Sequence, residues 1–400
     1  MMIQIKHKKD CCGCTACKNI CPKNAIEMLE DEEGFLYPIV NMDKCINCGL
    51  CEKICPTINK KEKRKKNQKA YVINNKDNEV RLESTSGGAF TPIAEYVVEN
   101  NGVVFGAIFD DKWNVHHSYT ESKDDLQKFR GSKYVQSDLK NTFMEAKTFL
   151  EQGRLVCFSG TPCQIQGLKS FLRKEYKNLI TVDVVCRAVP SPLVLRKYLE
   201  YQKQRNNMSD IKKLVFRDKT KYGYGYSSMR IDGEDNFYRE GVETDPYLRS
   251  FFNNYSDRPS CFECKFRDKD RISDFTIWDC FTIAEFDKEM SDNLGTTRMI
   301  IQTEYGEKIF NIVKEKYNYK EIGLESAIKN VRELKESPKP NERRKEFFYD
   351  INKMKESEFF DKYFPNTIKV KSERAVRRFL AKTGLNDKIK NIVKKIIKKG

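Results

Sequence analysis

The 400-residue sequence lacks the apolar segments that would place it across a membrane or direct it out of the cell. Its longest apolar run, residues 102–109, has the length of a strand, whereas a helix that spans a bilayer needs about 20 apolar residues. Residues 1–10 contain no apolar stretch of the kind found in secretory signals. We therefore expect a cytoplasmic protein, either free or peripheral on the inner face of the membrane.

Nucleotide-binding motifs and a basic body are missing as well. No Gly-x-Gly-x-x-Gly follows a predicted strand and no P-loop occurs, so a nicotinamide-binding fold has no motif support. The net charge of +16 comes entirely from residues 60–69 and residues 366–400. Since the rest of the chain is balanced, a nucleic-acid partner is not expected.

The sequence is rich in cysteine, and the number of cysteines, 15, is odd. In a reducing compartment, clustered cysteines are metal ligands more often than disulfides. Eight of them form the motif Cys-x2-Cys-x2-Cys-x3-Cys-Pro twice, with every position displaced by 34 residues. The two runs are Cys11, Cys14, Cys17, Cys21 and Cys45, Cys48, Cys51, Cys55.

This pattern is typical of bacterial ferredoxins with two 4Fe-4S clusters, in which the fourth cysteine of each run ligates the other cluster. The predicted ligands are thus Cys11, Cys14, Cys17 and Cys55 for one cluster, and Cys45, Cys48, Cys51 and Cys21 for the other. Zinc, which takes two or four ligands at tetrahedral spacing, fits the pattern poorly. Cys12 lies outside the motif and is interpreted as a bystander.

Four regions follow from composition and periodicity. Residues 1–59 form an α+β ferredoxin-like domain, residues 60–69 a basic solvated linker, residues 70–340 an α/β domain, and residues 341–400 a helical basic tail. In the third region, a Ser-Gly-Gly turn at Ser86, Gly87 and Gly88 precedes a predicted helix over residues 89–99. Such a turn suits a phosphate or an ordinary helix cap.

Further cysteines follow predicted strands of the α/β domain. Cys163 comes after the strand at residues 154–158, and Cys186 ends the apolar run of residues 181–185. Because the carboxyl ends of parallel strands line one crevice, we expect both thiols to face it. Cys261 and Cys264 form a separate Cys-x2-Cys in a segment rich in arginine and aromatic residues.

Several stretches over residues 70–320 resemble the beta-subunit family of coenzyme F420 hydrogenases and dehydrogenases. They are Ser86-Gly87-Gly88-Ala89-Phe90, Arg130-Gly131-Ser132-Lys133-Tyr134-Val135-Gln136-Ser137, Phe158-Ser159-Gly160-Thr161-Pro162-Cys163-Gln164, Cys186 with Val189-Pro190-Ser191-Pro192, Asp245-Pro246-Tyr247, and Arg258-Pro259-Ser260-Cys261 with Cys264-Lys265-Phe266. Members of this family bind FAD and a 4Fe-4S cluster close to it.

The resemblance implies specific site residues. A third 4Fe-4S cluster would be held by Cys163, Cys186, Cys261 and Cys264. FAD would contact Ser86, Gly87, Gly88, Lys133, Gly160, Thr161 and Pro162. Lys133 is also a candidate for charge stabilisation in catalysis, and Cys280, which follows Trp278-Asp279, is a second catalytic candidate whose alternative is simple burial.

Two departures from the family pattern bear on the substrate. The chain has Cys186-Arg187-Ala188 where many relatives have Cys-His-Gly, and Ile277-Trp278-Asp279-Cys280-Phe281 where many have Gly-Asp-Phe-Trp-Gly. The main prediction is an iron–sulfur flavoprotein oxidoreductase that transfers a hydride to or from an organic substrate. One alternative is oxidation of reduced coenzyme F420, and another is a non-enzymatic electron carrier or docking subunit.

The remaining predictions concern partners and single residues. We expect a redox protein as electron donor or acceptor and a small-molecule or lipid-linked substrate. Apolar residues recur at helical spacing between lysines over residues 385–397, which indicates a basic amphipathic helix that docks on an anionic membrane, on its own protein or on a partner. Cys157 is predicted in the core. Residues 222–226 are predicted to be a strand punctuated by glycine, and the alternative is a loop beside the site whose aromatic rings stack on a planar substrate.

Overall fold

The structure, a computed structural model, describes residues 2–60 and 67–383. The N-terminal unit contains α1 (Ala16–Ile20), an antiparallel pair β1 (Ile26–Glu30) and β2 (Leu36–Val40), and α2 (Leu50–Lys53). The 34-residue sequence repeat reappears in the backbone: Thr15 and Gly49 both adopt a positive φ immediately before α1 and α2. The two cysteine runs therefore share one local conformation.

The body continues with strands and helices in alternation. Its elements are β3 (Lys69–Asn75), α3 (Asn78–Glu83), α4 (Phe90–Glu99), β4 (Val103–Phe109), β5 (Val115–Thr120), α5 (Thr142–Glu151), β6 (Val156–Gly160), α6 (Pro162–Leu172), β7 (Leu179–Val184), α7 (Pro192–Arg205), β8 (Ile211–Asp218), β9 (Ser228–Gly233), β10 (Phe237–Glu240), α8 (Pro246–Phe252), β11 (Phe275–Asp279), β12 (Thr297–Ile301), α9 (Glu304–Val313), β13 (Tyr317–Ile322) and α10 (Leu324–Ile328). The C-terminal region is helical, with α11 (Arg344–Ile351), α12 (Glu356–Tyr363) and α13 (Ile368–Thr383).

A large mixed sheet forms the centre of the body, in the strand order β13-β3-β12-β11-β7-β6-β4-β5. Strands β11, β7, β6 and β4 are parallel, and the remaining pairs are antiparallel. Successive residues of β6 face opposite sides: Cys157 packs in the cluster that contains Ile93 of α4, and Phe158 packs in the cluster that contains Ile165 of α6. The predicted burial of Cys157 is confirmed, because its side chain is fully buried between the sheet and α4.

The N-terminal unit packs directly against the body. Helix α1 lies against α6, and the turn Lys8–Asp10 lies against the turn Pro259–Glu263. The fully buried Arg258 joins the two parts: its Nε donates to the carbonyl of Cys11 (2.9 Å), and its other nitrogens donate to the carbonyl of Leu36 (3.0 Å) and to Oε1 of Gln136 (2.7 Å). Residues 61–66 of the predicted linker lie outside the described part, and Lys69 already belongs to β3.

Two expectations about the chain differ from the structure or lie beyond it. Residues 222–226 form a turn with a short 3-10 segment, Tyr224–Tyr226, and not a strand, because Gly223 adopts a φ of 73° that redirects the chain. The predicted amphipathic helix over residues 385–397 lies outside the described residues. Among the residues that are described, no helix has the length and apolar character needed to cross a bilayer.

Candidate functional site

A cavity of about 1050 Å³ opens at the carboxyl ends of the parallel strands. The end of β6 contributes Gly160, the end of β7 contributes Val184, and the end of β11 contributes Asp279. Crevices at this edge of an open α/β sheet are the usual ligand sites of such folds, and drug-sized ligands occupy about 300–1,000 Å³. The volume therefore suits a large organic ligand, at the upper end of that range.

The Ser-Gly-Gly turn and the start of α4 form one wall of this cavity. Ser86 and Gly88 line it, while Gly87 lies behind them and donates its N–H to Oγ1 of Thr297 (2.9 Å). Gly87 has no room for a side chain, because a Cβ there would lie 2.6 Å from the carbonyl oxygen of Ile73. The first turn of α4 has no side-chain cap, so its free N–H groups are available to an anion.

Buried polar residues hold the turn from behind. The hydroxyl of Ser86 lies 2.8 Å from Oγ1 of Thr297, and Nζ of Lys219 donates to the carbonyl of Ser86 (2.9 Å). Burial lowers the pKa of Lys219 to about 7. Sequence reasoning missed Lys219 and Thr297, because they lie more than 130 residues from the turn and belong to no motif.

Lys133 lies at the cavity, but its ammonium group is already occupied. Nζ donates to the carbonyls of Lys128 (3.1 Å), Arg130 (3.1 Å) and Gly131 (3.3 Å), which uses all three of its donors. Burial lowers the pKa of Lys133 to about 8. The structure therefore gives Lys133 the task of shaping its own loop, and it leaves no ammonium donor for the charge stabilisation expected from the sequence.

The loop after β6 divides its residues between two cavities. Gly160 and Thr161 line the large cavity, whereas Pro162 and Cys163 line a smaller one beyond it. Thr161 caps α6 in a reciprocal box with Gln164, and its hydroxyl lies 3.1 Å from Sγ of Cys163. Pro162 thus lies beside the cysteines and outside the large cavity, and its contact with a cofactor stays a prediction.

Aromatic residues form a second wall of the large cavity. The rings of Tyr224 and Phe281 stack with centroids 4.7 Å apart, and the guanidinium of Arg217 lies over both rings. Asp279 accepts from Arg217 (2.7 Å) and from the hydroxyl of Tyr224 (2.8 Å), which fixes this wall. Arg217 carries no sequence signal, because its partners come from distant parts of the chain.

Cys280 does not join this wall, although its neighbours Asp279 and Phe281 do. Its side chain is fully buried on the other side of the strand, in a cluster with Val72, Ile283 and Met290. Neighbouring residues of an extended segment point to opposite faces, which explains the separation. The structure favours the burial alternative for Cys280 over the catalytic one.

His117 is the buried histidine of the cavity. Its Nε2 lies 3.0 Å from the carbonyl of Ser159, and its Nδ1 lies 2.6 Å from the hydroxyl of Ser137. A carbonyl only accepts, so Nε2 carries the proton and Nδ1 accepts from Ser137. Burial lowers the pKa of His117 to about 4.

This low pKa predicts a pH-dependent stability. The pKa of His117 is about 4 in the folded protein and 6.5 in the unfolded chain. Because the unfolded chain binds more protons between these values, the protein becomes less stable as the pH is lowered through this range. Between pH 7.5 and pH 5 this residue should lower the free energy of unfolding by about 2 kcal/mol. In His117→Asn, urea unfolding at the two pH values should show a loss of stability that is smaller by that amount. His116→Asn, at the partly exposed neighbour, is the control. If the wild type and His117→Asn lose the same unfolding free energy between pH 7.5 and pH 5, the low pKa of His117 is refuted.

The smaller cavity brings together the four body cysteines, which we call the body group. It consists of Cys163, Cys186, Cys261 and Cys264, all of which line that cavity. Burial raises the pKa of Cys186, and the neighbouring Cys163 and Cys264 thiols raise it further. The segment from Cys186 to Val189 lines both cavities, so a single stretch of backbone separates the body group from the large cavity.

The N-terminal cysteines form two groups in the predicted crossed arrangement. The outer group, Cys21, Cys45, Cys48 and Cys51, lines one cavity, and Cys48 is exposed. The inner group consists of Cys11, Cys14, Cys17 and Cys55. Burial raises the pKa of Cys17, and the nearby thiols of Cys11 and Cys55 raise it further. The Cys12 thiol lowers the pKa of Cys14, whereas burial with Cys17 and Cys55 raises it by more.

Cys12 lies between the inner group and the body group. Its side chain is buried and lines the same cavity as the body group. Its thiol is within hydrogen-bonding reach of Cys14, which raises the pKa of Cys12, and of Cys163, which lowers it. The interpretation of Cys12 as a bystander missed this position, because the motif spacing carries no information about the body group.

The three groups fit cube-shaped clusters better than single ions. In the part of the chain that is described, no three Cys, His, Asp or Glu side chains converge as a single metal ion requires. A 4Fe-4S cube has an iron at four corners, so its ligands surround a volume. Buried thiols that raise one another's pKa also need a cationic partner before they ionise together. The outer and body groups each surround a small cavity, and the thiols of the inner and body groups raise one another's pKa.

Comparison with known families agrees with this arrangement. The family models of the coenzyme F420 hydrogenase/dehydrogenase beta subunit match residues 70–143 (N-terminal part) and residues 153–325 (C-terminal part), which together exceed half of the chain. The chain belongs to this family. Ahead of the beta-subunit region, a 4Fe-4S dicluster domain matches residues 10–59. Membership of the beta-subunit family together with a 4Fe-4S domain identifies an iron–sulfur oxidoreductase.

Relatives at the level of whole chains are distant. A search of curated proteins gave no match. Among solved structures, this chain is similar to a chain of the F420-reducing [NiFe] hydrogenase complex from Methanosarcina barkeri, which was studied by xenon derivatization. The identity is 17%, the match covers 73% of this chain and 88% of that chain, and the TM-score is 0.43.

Proposed function

We propose that this protein is an iron–sulfur flavoenzyme in which electrons pass along a line of cofactors to an organic substrate. The observation that carries the proposal is the segment from Cys186 to Val189, which borders the large cavity on one side and the body group on the other. Three 4Fe-4S clusters would occupy the outer, inner and body groups, and FAD would occupy the large cavity.

The order of the line follows from burial. The outer group includes the exposed Cys48 and would exchange electrons with a redox protein. The inner group lies against α6, since a Cβ added to Gly167 would lie 3.0 Å from Sγ of Cys14. Cys12 then fills the space between the inner group and the body group.

The chain's own residues would bind and orient the flavin. The uncapped N–H groups of α4, with the turn at Ser86 and Gly88, would hold its phosphates. The stacked wall of Tyr224 and Phe281 offers a planar surface to a ring system. Bound FAD supplies hydride chemistry together with one-electron exchange with the clusters.

The substrate is an organic molecule that takes or gives a hydride. Coenzyme F420 is the second candidate, because the matching family is named for it. At the cavity wall, Arg187 and Ala188 stand where many relatives have His and Gly. This difference favours a substrate other than F420. Mixing reduced F420 with the oxidised enzyme under anaerobic conditions distinguishes the two: bleaching of the flavin absorbance would select F420.

A rapid-mixing experiment tests the relay itself. We expect reduced ferredoxin to bleach the flavin of the holoenzyme, and Cys14→Ala, which removes an inner ligand, to slow this bleaching by about a hundred-fold, because the cluster that links donor and body is lost. Cys157→Ala, at a buried cysteine outside the three groups, should bleach at the wild-type rate.

Two results would contradict the proposal. If the anaerobically prepared or reconstituted protein binds no flavin, the carrier or docking-subunit alternative is correct. If Cys14→Ala bleaches as fast as Cys157→Ala, electrons do not enter through the N-terminal clusters.

A further inference from the structure

Helix α13 is attached to the body in an unusual orientation. None of its residues is buried, and its contacts with the body are polar: Arg374 donates to Oε1 of Glu240 (3.0 Å), and Arg378 donates to Oε2 of the same residue (2.9 Å) and to the carbonyl of Arg239 (3.1 Å). An ordinary terminal helix docks on its own protein through its apolar side. This helix presents its arginines to the body instead.

Three apolar residues of α13 are exposed to solvent, whereas Val370 and Leu380 are partly buried. Ile368 is 84% exposed, Val376 is 58% exposed and Phe379 is 61% exposed. At 100° per residue these three side chains fall within about 80° of one another, and the centre of this arc lies about 160° around the helix from Arg374 and about 120° from Arg378. They form an exposed stripe, interrupted at its centre by Ser372, which we call the outward face.

Positive charge borders the outward face on both sides. Around the helix axis, Lys369 lies beside one edge of the stripe, and Lys371 and Lys382 lie beside the other edge. The acidic residue of the helix, Glu373, is paired with Arg377 at 2.8 Å. An exposed apolar stripe between lysines matches the headgroup region of an anionic bilayer, where apolar side chains enter and lysines reach the phosphates. A protein partner would not require positive charge on both borders.

The helix also lies at the mouth of the large cavity. Arg377 lines the cavity, and the guanidinium of Arg378 lies 5.9 Å from the ring centroid of Tyr222, in the turn that carries Tyr224 and Tyr226 to the cavity wall. A surface that receives α13 therefore lies close to this opening.

We propose that the outward face of α13 docks the protein on an anionic phospholipid surface with the cavity mouth toward the bilayer. A substrate anchored in that bilayer would reach the cavity without entering water. This consequence for the substrate rests on the proposed function, whereas the docking does not.

Sedimentation of the full-length holoprotein with vesicles tests the docking. We expect binding to vesicles of phosphatidylcholine and phosphatidylglycerol at about two to one, weak binding to phosphatidylcholine alone, and release at high salt. The double variant Val376→Glu with Phe379→Glu should bind about ten-fold more weakly, because carboxylates then occupy the apolar stripe. Ile312→Glu, at an exposed apolar residue of α9, is the matched control and should bind like the wild type.

Each other outcome overturns the docking. If the double variant and the control bind equally, α13 does not contact the membrane. If the protein binds equally to neutral vesicles, anionic lipid is not required. A dimer in solution that the double variant dissociates would assign the outward face to a second copy of the chain. Because no turnover is measured, any of these results leaves the proposed function intact, and the iron and flavin contents of the variants confirm that they are folded.

Discussion

Replacing Cys163 by serine is expected to lower the iron content of the anaerobically prepared chain from about twelve atoms to about eight, since each cube carries four irons. Cys163 belongs to the body group, which lies beside the large cavity. The loss should therefore leave the N-terminal clusters in place. Iron analysis and the low-temperature electron paramagnetic resonance spectrum of the reduced protein measure the change.

Two controls sharpen this prediction. Cys157→Ser alters a buried thiol of β6 that faces α4, and it should keep about twelve irons. Cys12→Ala removes the thiol beside Cys163 and should also keep twelve. If Cys163→Ser keeps twelve irons and loses four only when combined with Cys12→Ala, Cys12 has replaced the missing ligand. If all variants hold about eight, the body group binds no cluster.

A second large effect is expected for flavin retention in Ser86→Asp. Ser86 lies at the cavity beside the uncapped start of α4, where we place the cofactor phosphates. Two unit charges about 4 Å apart repel by about 4 kcal/mol at an effective dielectric of about 20, so the affinity for FAD should fall by a hundred-fold or more. Titration of the flavin-free protein, followed by flavin fluorescence, measures this loss.

Ser86→Asn is the matched variant for this test. Asparagine has the size of aspartate without its charge, and both substitutions remove the hydroxyl that lies 2.8 Å from Oγ1 of Thr297. The difference between the two variants therefore isolates the charge. Equal FAD affinities for Ser86→Asp and Ser86→Asn would place the phosphates elsewhere in the cavity.

The sequence predicted those features that depend on local spacing. The crossed arrangement of the N-terminal cysteines follows from two identical motifs, and the structure repeats their backbone conformation before α1 and α2. The meeting of Cys163 with Cys186 follows from a general property of parallel strands, whose carboxyl ends share one edge. In both cases the residues that decide the geometry are close in sequence or belong to a regular element.

Features that depend on distant partners were not predictable in this way. Lys133 was expected to face the cofactor, but three carbonyls of its own loop occupy its ammonium group. Arg258 was recognised only as part of a matching stretch, because the groups it binds lie up to 247 residues away. The orientation of α13 depends on Glu240, which belongs to no pattern.

The buried position of Arg258 limits which ferredoxin domain can be joined to this body. Its charge is stabilised by the carbonyl oxygens of Cys11 and Leu36 in the N-terminal unit, by Oε1 of Gln136 in the body and by the ring of Tyr37 4.3 Å away. A ferredoxin whose backbone does not place two carbonyls at these positions would leave the guanidinium without those partners, at a cost of several kcal/mol for an unpaired buried charge. An exchange of the N-terminal domain therefore has to keep these positions or include a change at Arg258.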